Sequence, residues 1–81
     1  MDIVANILRE AVGGAKKTHI MYKCNLSFAQ IQAYLELLLN TELLRTIPEE
    51  KKSSKINLLE TTTKGRAFLQ AYHNLIALLA A

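Results

Sequence analysis

Apolar positions in the first stretch, DIVANILREAV from Asp2 to Val12, fall at Ile3, Val4, Ile7, Leu8, Ala11 and Val12, which is the spacing of one helical face. Gly13-Gly14 ends the pattern, because glycine accepts the left-handed C-terminal conformation without steric cost. The segment Lys16 to Asn40, KKTHIMYKCNLSFAQIQAYLELLLN, then holds a short apolar-spaced run, an Asn-Leu-Ser break and a long second run. Thr18 is the expected N-cap of a second helix that reaches about Cys24 and turns Ile20, Met21 and Cys24 inward. Asn25 can take the left-handed conformation that ends it, and Ser27 can cap the next helix. Ser27-Phe28-Ala29-Gln30 fits a capping box, with Leu26 and Ile31 placed as a hydrophobic staple. The third helix is expected from Phe28 to about Leu39, with Ile31, Tyr34, Leu35 and Leu38 inward and Asn40 as its stop.

After Asn40 the pattern changes. LLRTIP and KINLLET are short β-branched or leucine-rich runs around the polar loop EEKKSS, and they predict a two-stranded hairpin with Pro48 where the first strand gives way to the loop. Thr62-Thr63-Lys64-Gly65 opens a last helix, about residues 63–80, carrying Phe68, Leu69, Tyr72, Leu75, Ile76 and Leu79 at three-and-four spacing. The order helix, helix, helix, strand, strand, helix, with a tight turn before the third helix, is that of a winged helix-turn-helix: mainly α with a small β-hairpin, in one domain over residues 1–81.

Composition adds a reason for self-association. A chain of 81 residues buries only about 60–65 % of its unfolded surface, yet 51 % of these residues are hydrophobic and the single cysteine, Cys24, offers no disulfide framework. A homodimer is therefore expected, with Ile3, Ile7, Phe68, Tyr72, Leu75, Ile76 and Leu79 at the interface. Gln70, His73 and Asn74 break the longest apolar run, and Asp2 and Arg9 spoil a signal peptide, so neither a membrane span nor an export signal is expected. Cytoplasmic residence fits the lone cysteine. His19, His73 and Cys24 lack metal-ligand spacing, Asp2 is the only aspartate, and no Gly-rich phosphate loop or nucleophile motif occurs. No enzyme, metal, cofactor or small-molecule ligand is expected.

Taken together, "IL", KKTHIMYKCNLS, YLELL, "ELL" and TTKG resemble the small archaeal winged helix-turn-helix DNA-binding proteins, the group that includes dimeric chromatin-associated proteins and related transcriptional regulators. The resemblance runs from about Ile7 to Tyr72. It implies that helix three enters the major groove of double-stranded DNA, that a β-wing flanks it, that terminal helices dimerise, and that the protein is nucleoid-associated. Two features depart from the group. Thr61 stands where relatives place a hydrophobic residue before Thr-x-Lys-Gly, which leaves the strand-to-helix register open by a residue, and the terminal helix is shorter than in the chromatin-associated members.

With Ile31, Leu35 and Leu38 inward, a helical step of about 100° turns Ala29, Gln32, Ala33, Glu36 and Asn40 outward, with Gln30 at the flank. Gln30 and Gln32 are candidate readers of adenine, and Ala29 and Ala33 of thymine methyls. Glu36 opposes the phosphates unless it accepts from cytosine, and this helix carries neither Arg nor Lys. Phosphate contacts are assigned to Lys16, Lys17, Thr18 and Ser27 before the helices and to Lys51, Lys52 and Lys55 in the wing, partly offset by Glu49 and Glu50. Tyr22, Phe28, Tyr34, Phe68 and Tyr72 sit among aliphatics, so core or interface positions are expected for them. The net charge of +3 is mild. A second function therefore stays open: a winged-helix module for protein–protein interaction and dimerisation without DNA binding.

Overall fold

The computed structural model describes residues 2–48 and 57–80. Its elements run α1 (Asp2–Glu10), β1 (Ala15–Lys16), α2 (Lys17–Lys23), α3 (Phe28–Asn40), β2 (Leu44–Pro48), β3 (Asn57–Thr61) and α4 (Thr63–Ala80). The hairpin strands β2 and β3 pair antiparallel, with Leu44 opposite Thr61 and Thr46 opposite Leu59. The expected order gains one element, because β1 pairs with the other edge of β3 to make a three-stranded sheet in the order β1-β3-β2. Two residues have no periodicity to read, and only the presence of β3 alongside makes them a strand.

One core holds the elements together. Ala5, Ile7, Leu8 and Ala11 from the first helical segment meet Ile20 of α2, Ile31, Leu35 and Leu38 of α3, Ala15, Leu44 and Leu59 of the sheet and Leu69 of α4. Ile7 is 0 % exposed within the single chain. Its assignment to a dimer interface is therefore corrected: the side chain is already enclosed and has no surface left to offer a second subunit. Ile3, Phe68 and Tyr72 are partly buried against the same core.

The turn between α2 and α3 follows from its sequence in detail. Asn25 takes φ 55°, the Leu26 N–H donates to the Met21 carbonyl at 3.0 Å and the Asn25 N–H to the Tyr22 carbonyl at 3.2 Å, which closes the α2 end in a Schellman arrangement. Ser27 then caps α3: its hydroxyl accepts from the Gln30 N–H at 3.1 Å while its own N–H donates to Gln30 Oε1 at 2.9 Å. Thr18 does not cap α2. Lys16 holds that position without a side-chain bond, because β1 runs straight into the helix two residues earlier than the Thr18 signal suggests. At the far end α3 runs through Asn40, and Glu42, not Asn40, takes the left-handed conformation, φ 63°, with the Leu43 N–H donating to the Leu38 carbonyl at 2.9 Å.

Thr61 and the TTKG segment tie these helix ends to the sheet. The Val12 N–H turns to the Arg9 carbonyl, and the buried Thr61 hydroxyl donates to the Leu8 carbonyl at 2.6 Å while its N–H donates to the Ala11 carbonyl at 3.0 Å. The polar side chain at this buried position satisfies carbonyls that α1 leaves open at its C-terminal end. Thr62 Oγ1 accepts from the Gly65 N–H at 3.0 Å and donates to the Glu42 carbonyl at 2.7 Å, and Lys64 Nζ donates to the Thr41 carbonyl at 2.9 Å. Thr61→Val keeps the shape but removes the hydroxyl, so denaturant unfolding is expected to show a loss of about 1–3 kcal/mol with an unchanged m-value.

Candidate nucleic-acid interface

Among the described residues, the outward face of α3 stays open to solvent. Phe28, Ala29, Gln30, Gln32, Ala33, Glu36 and Asn40 are all exposed, as the inward positions Ile31, Leu35 and Leu38 require. The capped turn fixes where this face begins, and β2 and β3 stand beside its C-terminal half. Between α3 and the sheet lies an open cleft of about 530 Å³, lined by Lys17, Gln32, Leu35, Glu36, Leu39 and Thr46 among others.

Lys17 differs from its expected placement. Instead of pointing to a flank, its ammonium lies 4.4 Å from the centroid of the Phe28 ring and donates to Gln32 Oε1. A first-turn lysine of α2 thereby supplies the cation that the sequence of α3 lacks. Lys16 and Thr18 are exposed beside it, and Ser27 is exposed at the start of α3. Lys51, Lys52 and Lys55 lie outside the described residues, as do Glu49 and Glu50.

Phe28 lies on the surface and not among the aliphatics beside it in sequence. It is 66 % exposed, and Tyr22 is 84 % exposed, so neither is a core residue, whereas Tyr34, Phe68 and Tyr72 are packed against the core. The available signal was spacing: Phe28, Gln32 and Glu36 are four residues apart and form one outward stripe. On the solvent face of the sheet, Arg45 Nε donates to Glu60 Oε1 at 2.7 Å across β2 and β3, which occupies a cation near the wing. His19 Nε2 lies 3.4 Å from Glu10 Oε1, joining α2 to the end of α1. Burial, and secondarily the nearby Glu10 carboxylate, holds the Cys24 thiol above its ordinary pKa. Both effects disfavour the thiolate, and the side chain packs partly buried against the core.

The proposed interface on α4 is arranged differently. Tyr72 donates to Asp2 Oδ1 and marks the last place where α4 is held by α1. Beyond it every residue to Ala80 is exposed, including Leu75 at 53 %, Leu78 at 75 % and Leu79 at 74 %. Ile76 belongs to the same surface. No helix among the described residues is long and apolar enough to cross a membrane.

Three helices with a capped turn before an exposed third, an antiparallel hairpin beside it and a returning helix define a winged helix-turn-helix protein. The winged helix-turn-helix family profile matches residues 1–80, and the chain belongs to that family. Among solved structures it is similar to the transcriptional regulator BldR from Sulfolobus solfataricus, with a TM-score of 0.84 and 21 % identity over 98 % of this chain. This chain spans 57 % of that protein's. It is also similar to Sso10a-2, a DNA-binding protein from Sulfolobus solfataricus, with a TM-score of 0.77 and 22 % identity over 98 % of this chain and 79 % of that one. Both likenesses concern the fold, and both neighbours are archaeal, as the sequence resemblance implies. No curated protein sequence matches the chain.

Proposed function

We propose that this protein binds double-stranded DNA as a homodimer, with α3 in the major groove and the hairpin loop against a neighbouring stretch of backbone, as a small transcriptional regulator or chromatin-associated protein. The observation that carries this reading is the exposed outward face of α3, on which Lys17 places a positive charge beside Phe28 and Gln32. Two of the solved structures with this fold are described as a transcriptional regulator and a DNA-binding protein, which is consistent with it. Lys16 and Ser27 flank the face, and Lys51, Lys52 and Lys55 extend the positive charge into the wing.

Duplex affinity is expected to fall linearly with salt on a log–log plot, with a slope of about −0.9 per phosphate neutralised. Replacing Lys51, Lys52 and Lys55 by alanine flattens that slope and weakens all duplex sequences alike, because backbone contacts carry no base information. Fluorescence anisotropy at several salt concentrations reads both quantities. An unchanged slope removes the wing from the contact, and absence of duplex binding at low salt leaves the fold as a protein-interaction module.

A further inference from the structure

We infer that the Lys17–Gln32 pair on the reading face of α3 is a donor pair that selects guanine over adenine, with Lys17 acting through Gln32 as a specificity-determining residue; this rests on the DNA-binding reading above. A glutamine recognises adenine with both halves of its amide, the oxygen accepting from N6 and the nitrogen donating to N7. In this chain both glutamine oxygens are engaged. Gln32 Oε1 accepts from Lys17 Nζ, and Gln30 Oε1 accepts from the Ser27 N–H at 2.9 Å as half of the capping box.

The two contacts leave different groups facing outward. An ammonium seated on Gln32 Oε1 sets positive hydrogens where the adenine amino group would have to donate, so the adenine pairing meets like charge. What remains is the Gln32 amide NH2 and the remaining N–H groups of Lys17, which are donors only. Guanine presents two adjacent acceptors in the major groove, O6 and N7, and matches that pattern. The Phe28 ring, 4.4 Å from Lys17 Nζ, holds the ammonium in place by its π face, and its exposed edge suits a thymine methyl next to the guanine.

Selection from random duplexes with the full chain tests this, run in parallel on the wild type, Gln32→Ala and Lys17→Met. The wild type is expected to enrich a guanine at one position of each half-site, and replacing that base by 7-deazaguanine, which lacks the N7 acceptor, weakens binding on the order of tenfold. Gln32→Ala flattens the preference at that position. Lys17→Met frees the amide oxygen and moves the preference toward adenine, which simple loss of a phosphate contact would not do. Adenine at the Gln32-dependent position of the wild type, or a guanine preference that Lys17→Met leaves in place, overturns the inference. Duplex retention with no enriched base also overturns it while the DNA-binding reading stands, and failure to bind any duplex defeats both. If Lys17→Met does not fold, the wild-type, Gln32→Ala and 7-deazaguanine arms still decide between guanine and adenine at the Gln32 position.

Discussion

Leu75→Asp is expected to sediment as a monomer at concentrations where the wild type is a dimer, and to lose tight duplex binding although Leu75 lies far from α3. Leu75 is 53 % exposed in the single chain and shares its surface with Ile76, Leu78 and Leu79, all of which lie outside the core cluster. The eight positions from His73 to Ala80 extend the helix by about 12 Å at 1.5 Å per residue. Two such extensions packed about a two-fold axis would bury their leucines, each large side chain contributing roughly 1.5–3 kcal/mol. A carboxylate placed in that contact loses this contribution and adds the cost of desolvating a charge. Duplex affinity falls because the second reading head is no longer held at a fixed spacing from the first. Sedimentation equilibrium and far-UV circular dichroism check the result: a folded monomer agrees with it, and a wild-type-sized dimer, or a wild type that is itself monomeric at high micromolar concentration, contradicts it. Ile7→Ala is the contrasting case, since an enclosed side chain should lower stability and leave the association constant of the folded protein little changed.

Gly65→Ala is expected to destabilise the fold by about 3 kcal/mol or more, against the usual sign for glycine-to-alanine in a helix, where alanine is favoured by roughly 1 kcal/mol. A Cβ built on Gly65 would stand 2.3 Å from the Leu43 carbonyl oxygen and 2.6 Å from Thr61 Cγ2. The carbonyl cannot move aside locally, because it accepts from the N–H of Thr62 at 3.1 Å, the same residue that caps α4. Relief would require α4 to withdraw from the sheet and would disrupt its contacts with the core at Leu69. For a domain of this size each kcal/mol shifts the melting temperature by about 4–8 °C, so a fall of at least 12 °C is expected in a thermal scan. Gly13→Ala is the control, since a Cβ there would meet nothing within 4 Å. Equal melting temperatures for the two variants would refute the close-approach account of Gly65.

The parts of the molecule legible in its sequence are those governed by neighbours in the chain. The capping box at Ser27 and Gln30, the left-handed Asn25, the outward stripe of α3 and the opening of α4 at Thr62 and Thr63 all depend on residues within four positions of one another. The candidate site was legible to the same depth: Gln30, Gln32, Ala29 and Ala33 could be placed on one exposed face from helical geometry alone. What each side chain does there could not be read, because Lys17 and Gln32 are 15 residues apart and meet only when α2 packs across α3.

The same distinction separates the rest. Local periodicity and turn chemistry determined the helices, the hairpin and their order, since hydrogen bonds within helices and capped turns close over short stretches of chain. Tertiary structure decided that Ala15–Lys16 becomes a third strand, that Thr61 is buried to serve the Leu8 carbonyl, and that Ile7 belongs to the core while Leu75 stays outside it. Those outcomes depend on which distant backbone atoms come to lie opposite one another. Helical periodicity puts Ile7 and Leu75 equally on apolar stripes, and only the point at which α4 passes beyond α1 separates an enclosed side chain from an exposed one.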